Sequence, residues 1–165
     1  MRQITPEHLD DMAIGAAVLG TGGGGNPYIG RLMAQSALRA YGPVTMLDPS
    51  ELDDDDLVIP ACMMGAPTVM VEKLPSGEEV VTAVKALEEY LDRPVRAVMS
   101  GEAGGLNSVI PFTVAAALGI PIVDADMMGR AFPELQMCIP SVYGIPATPM
   151  AIADEKGNNA IINTV

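Results

Sequence analysis

Apolar positions recur at helical spacing twice near the start of the chain. Leu9, Met12, Ala13, Ala16 and Leu19 form the first set; Ile29, Leu32, Met33, Ala37 and Ala40 form the second. The spacing predicts helices over Leu9 to Leu19 and Ile29 to Ala40. Thr5-Pro6-Glu7 supplies a hydroxyl cap, a proline at the first position and an acid near the positive end of the first helix. Tyr41-Gly42-Pro43 stops the second. Val44 to Leu47 and Leu57 to Met64 are short apolar runs and read as buried strands on either side of an acidic turn. Ser76-x-x-Glu79 is a capping box that introduces a stripe of Val80, Val84, Leu87 and Leu91, ended by Arg93-Pro94. A strand over Val95 to Met99 follows, then a helix reaching Leu118 with Pro111 in its first turn or at a kink, then a strand over Ile120 to Val123. Met150 to Ala153 and Ala160 to Val165 flank a polar turn and predict a hairpin. Helices alternating with short apolar strands indicate an α/β fold: a largely parallel sheet flanked by helices, closed by a C-terminal β-hairpin. No internal repeat or linker divides residues 1–165, which read as one domain.

Composition narrows the function. At 165 residues and 49% hydrophobic content the chain can bury a sizeable core. Its net charge of −12 argues against nucleic acid, whose affinity rests on Lys and Arg neutralising phosphates. The acids gather at Glu51 and Asp53 to Asp56, and again between Glu78 and Asp92, as solvated faces. Cys62 and Cys138 are the only thiols and share no zinc-type spacing with His8, the single histidine, which sits in the first turn of a surface helix. No segment has the character of a signal peptide or the length of a membrane span, so a cytoplasmic protein with reduced cysteines is expected. The low charge of the apolar helices is compatible with a homo-oligomer.

Chemistry concentrates in loops. Gly20-Thr21-Gly22-Gly23-Gly24-Gly25 is costly to order, and such a run lasts either where backbone packs on backbone or where N–H groups converge on a ligand. Asn26-Pro27 reads as a cap and first helical residue, so Gly22, Gly23, Gly24, Gly25 and Asn26 are candidate substrate contacts. Because the loop follows a helix and lacks a Walker pattern, a nucleotide cradle is disfavoured. Ligands of open α/β sheets sit beyond the carboxyl ends of the strands. Three segments fall there: Cys62 to Pro67, Glu102 to Asn107, and Asp124 to Glu134. Glu102 is either a general base or a holder of a backbone N–H. Gly104 and Gly105 allow close approach to a ligand, and Asn107 or Ser108 can cap the next helix. Asp124 and Asp126 should point to opposite faces; they could bind a divalent cation, accept N–H donors from a ring, or move protons. Arg130 either pairs with Glu134 one helical turn away or grips a substrate carboxylate. Cys62 has no cationic neighbour in sequence and reads as an inert buried thiol. Met63-Met64 and Met127-Met128 flank the same region, as core filler or as the wall of a pocket for a sulfur-bearing ligand.

Three motifs together resemble the N-terminal domain of the S-methyl-thiohydantoin desulfurase family. They are Gly20-Thr21-Gly22-Gly23-Gly24-Gly25-Asn26-Pro27, Glu102-Ala103-Gly104-Gly105-x-Asn107, and Asp124-x-Asp126-x-Met128-Gly129-Arg130-Ala131-Phe132-Pro133-Glu134. The resemblance covers nearly the whole chain. It implies action on five-membered imidazolidinone rings, with sulfur removed from a thiohydantoin to leave the hydantoin. It also implies association with hydantoinase or oxoprolinase proteins, and a second domain that these residues do not include. The clustering of these residues at strand ends, and not the resemblance, suggests for such a reaction Asp126 or Glu102 as base, glycine-loop N–H groups as donors, Arg130 as anchor and Asn107 as orienting group. The competing expectation is a non-catalytic binding or assembly module for a hydantoinase-type partner.

Overall fold

The structure, a computed structural model, describes every residue except Pro67, Leu74, Pro133 and Val165, and Val71 through its backbone alone. Pro67 at the end of the first strand-exit loop, Pro133 of the third motif and Val165 of the last expected strand therefore lie outside the described residues.

β1 (Arg2–Ile4) has no signal in the sequence, since three residues carry no period. It forms because it pairs antiparallel with β2 (Val44–Leu47), setting Ile4 opposite Val44 and burying it. Between them run α1 (His8–Gly20) and α2 (Pro27–Tyr41). Then come β3 (Val58–Ala61), α3 (Val69–Glu72), α4 (Glu78–Leu91), β4 (Ala97–Ser100), α5 (Ile110–Leu118), β5 (Ile122–Val123) and α6 (Ile139–Val142). A hairpin of β6 (Met150–Ala153) and β7 (Asn159–Ile162) completes the order. The main sheet runs β1-β2-β5-β4-β3, with every pairing after the first parallel. The α/β expectation, with its C-terminal hairpin, is met.

α5 lies against all four parallel strands, with α2 packed on its outer side. A helix enclosed in this way must be apolar all round, and residues 110–116 of α5 are all buried. Gly30 lets α2 approach, since a Cβ there would stand 2.7 Å from Val109 Cγ2 and 3.0 Å from the Leu106 carbonyl oxygen. The hairpin packs on α4.

Local details depart from the sequence reading where side chains choose different partners. α1 starts at His8, and its entry is held by the Thr5 N–H donating to His8 Nδ1 at 3.0 Å instead of by the Thr5 hydroxyl capping the helix. The Ser76–Glu79 pair is reciprocal but tighter than a standard box. Glu79 accepts from the Ser76 and Gly77 N–H groups, while Ser76 Oγ accepts from the Glu78 N–H. No helix of the described residues is long and apolar enough to cross a membrane.

Candidate functional site

The parallel strands deliver three loops to one edge of the sheet. β3 ends at Ala61, short of the expected Met64, because Asn107 takes the backbone of Met63 out of strand pairing. Asn107 Oδ1 accepts from the Met63 N–H at 2.8 Å, and its Nδ2 donates to the Met63 carbonyl at 3.0 Å. The same Nδ2 lies 2.8 Å from Glu102 Oε1. Asn107 is buried and caps no helix; α5 begins without a side-chain cap. It ties the exit of β3 to the exit of β4 and orients Glu102.

Glu102 Oε2 accepts from the Phe132 N–H at 3.0 Å, so this carboxylate also fastens the loop after β5. Asp126 answers from that loop. Its Oδ2 accepts N–H bonds from Ala103 at 2.7 Å, Met128 at 3.3 Å and Gly129 at 2.6 Å. The two carboxylates therefore cross-brace the β4 and β5 loops. Among the described residues Asp126 Oδ1 has no donor from the protein. Ser100, at the end of β4, is buried and lies within hydrogen-bond distance of the Glu102 and Asn107 carbonyls, at 2.6 and 2.9 Å. Sequence reasoning passed over Ser100 and Phe132: a serine ending a strand is unremarkable, and a backbone N–H has no sequence signal.

The glycine run meets these loops directly. A Cβ on Gly24 would stand 2.8 Å from the Gly104 carbonyl oxygen, and one on Gly104 would stand 2.5 Å from the Ala131 nitrogen. The Leu106 N–H donates to the Gly24 carbonyl at 2.8 Å. Gly24, Gly104 and Gly105 thus serve backbone-on-backbone packing, the first of the two readings of the run. Asn26 caps α2 as expected, accepting from the Tyr28 N–H at 2.9 Å with Pro27 next. Gly22 and Gly23 are exposed beside this junction, and Gly25 is half-exposed.

No helix spans the described residues from Asp124 to Glu134, so the helical pair of Arg130 with Glu134 does not form. Asp126 instead caps a turn, Asp124 is exposed, and Glu134 bonds Gln136. Arg130 stands over the Phe132 ring at 4.2 Å. Among the described residues no three His, Cys, Asp or Glu side chains converge as a metal site, so Asp124 and Asp126 lack a ligand set between them.

Both thiols border the carboxylates. Cys62 exposes part of its surface, yet crowding of its thiol by protein atoms pushes it up to about 11, with Glu102 and Cys138 adding to the effect. Burial likewise raises Cys138, with Glu102 and Asp126 contributing. Two surface hollows of about 410 and 420 Å³ lie elsewhere, around Leu135 to Ala147 and between α4 and β7, and neither is lined by Glu102 or Asp126. Both carboxylates are half-buried.

Residues 7–164 match the family model described as the S-Me-THD-like N-terminal domain. A crystal structure of a protein from Chromobacterium violaceum is similar over 100% of this chain, with 31% identity and a TM-score of 0.88. The match takes in 45% of that protein, so this chain spans less than half its length. No curated protein matches.

Proposed function

This chain belongs to the S-Me-THD-like family through its N-terminal domain, and on that premise we propose that it is the hydrolytic, substrate-holding part of a desulfurase acting on a thiohydantoin-type ring. The observation that carries the reading is Asp126: three N–H donors fix one carboxylate oxygen, and the other has no protein donor among the described residues. A carboxylate so held can take a proton without moving.

In the proposed reaction, water adds to the ring carbon bearing sulfur while Asp126 Oδ1 takes its proton. The negative charge that develops on the ring is met by the N–H groups of exposed Gly22 and half-exposed Gly25, the Gly23 N–H being held by the Gly20 carbonyl at 2.8 Å. Collapse breaks the carbon–sulfur bond. With an S-methyl substrate the proton held by Asp126 passes to the departing sulfur and the hydroxyl proton moves to the ring nitrogen, giving the hydantoin and methanethiol. With a thione both protons of the water end on sulfur, as hydrogen sulfide. Glu102 shapes the site through Asn107 and Phe132, and Arg130, free of a helical partner, anchors a carboxylate on the ring substituent.

Asp126→Asn should lower thiol release by about 10²–10⁴-fold, the usual worth of a general base. Glu102→Gln should raise KM more than it lowers kcat, because it loosens the loops and not the proton transfer. Unchanged turnover in Asp126→Asn would remove it as base. The second reading, a recognition half whose chemistry is supplied elsewhere, is favoured by Glu102 and Asp126 lining neither hollow. It predicts binding of hydantoins by thermal shift without turnover.

A further inference from the structure

We infer that the segment from Leu135 to Ala147 is the seat of a further domain, equivalent to the part of the Chromobacterium violaceum protein that lies outside the match, and that this domain closes over Glu102 and Asp126. The closure rests on the reading of those carboxylates given above; the docking does not need it.

Met137, Ile139, Val142, Tyr143 and Ile145 are all exposed, Val142 by 83% and Tyr143 by 78%. Five large apolar side chains within nine residues form a ridge, whereas an ordinary surface scatters such residues singly. Residues 135–153 contain no Asp, Glu, Lys or Arg, in a chain that is 18% charged. Depletion of charge with Met and Tyr at the centre is the composition of an interface core. A hollow of about 410 Å³ bounded by Leu135, Ser141, Ile145 and Pro146 gives the ridge a socket for an inserted side chain.

The position of the ridge says what its occupant does. The Ile139 N–H donates to the Met127 carbonyl at 2.8 Å, so the first residue of α6 is fastened to the neighbour of Asp126. A body seated on the ridge borders the half-buried carboxylates and shields their exposed part from bulk water. The related protein carries more than half of its length beyond the matched part, which is the material such a body requires. A second copy of this chain would bring a net charge of −12 against the same charge.

The test joins this chain in cis to the remainder of the Chromobacterium violaceum protein and follows hydrogen exchange without substrate. Exchange over residues 137–145 should slow by about tenfold or more relative to the chain alone, and Val142→Asp should restore the fast rate. The intact Chromobacterium violaceum protein gives a second readout that does not depend on the chimera folding: its segment aligned with 137–145 should exchange slowly. Fast exchange of that segment in the intact protein overturns the inference. So does concentration-dependent protection of the isolated chain, which would assign the ridge to a second copy. Loss of desulfurase turnover with docking intact would instead count against the proposed chemistry.

Discussion

At single positions the decisive quantity is the space a side chain would meet. Gly15 lies mid-way along α1, where an added Cβ would find nothing within 4 Å, whereas Gly30 in α2 faces Val109 and Leu106. Gly15→Ala should therefore raise stability by about 0.5–1 kcal/mol through helix propensity alone. Gly30→Ala should lower it by about 1–3 kcal/mol through overpacking. Chemical denaturation of the two variants checks both signs. Cys62 gives a pH-dependent counterpart. Its thiol is raised from 9.0 to about 11 by burial first and by Glu102 second, so at pH 8 its alkylation should be about a hundredfold slower than that of an unhindered cysteine. The native state holds this proton more tightly than the unfolded chain. The associated stability is complete below about pH 9 and is lost as pH rises toward 11. Iodoacetamide labelling against pH, native and in denaturant, tests this. Thiol reactivity at neutral pH equal in both states would remove the burial argument.

Between elements, polar side chains do what strand pairing leaves undone. Asn107 satisfies the Met63 N–H and carbonyl and still reaches Glu102, joining the exits of β3 and β4. Asn107→Ala leaves those groups without partners in a partly buried place and should cost about 1–3 kcal/mol. Asn107→Asp keeps the acceptor for Met63 but sets a second carboxylate beside Glu102, and should be worse at neutral pH than in acid, where protonation removes the repulsion. Thermal melts at two pH values separate these cases. Helix starts and stops were legible in the sequence because caps are local: Asn26-Pro27 opens α2, and Gly42 ends it in the left-handed half of backbone space. β1 was not legible, since its three residues owe their conformation to β2. Nor was the loop after β5, where Asp126 gathers backbone N–H groups into a turn in place of the helical pair of Arg130 and Glu134.

Across the whole molecule the packing is uneven. α5 is enclosed between the sheet and α2, while β6 and β7 rest chiefly on α4 and keep half-exposed or exposed residues throughout. Native-state hydrogen exchange should find residues 150–153 and 159–162 opening at lower free energy than β4 and α5, with the α5 amides exchanging only on global unfolding. Equal protection of the hairpin and β4 would contradict this. The same unevenness appears at the opposite extreme in the uncharged ridge around α6, which behaves as interface and not as finished surface.

Residue order alone carries the α/β class, the order of the long helices, the hairpin and the three loops that leave the strand ends, because periodicity, capping residues and glycine content act over a few neighbours. It took the folded chain to show that the glycine run packs against Gly104 and Ala131, that Glu102 and Asp126 brace each other's loops, and that β1 exists at all. Those outcomes depend on atoms brought together from distant parts of the chain, and on backbone N–H groups that every residue but proline carries alike.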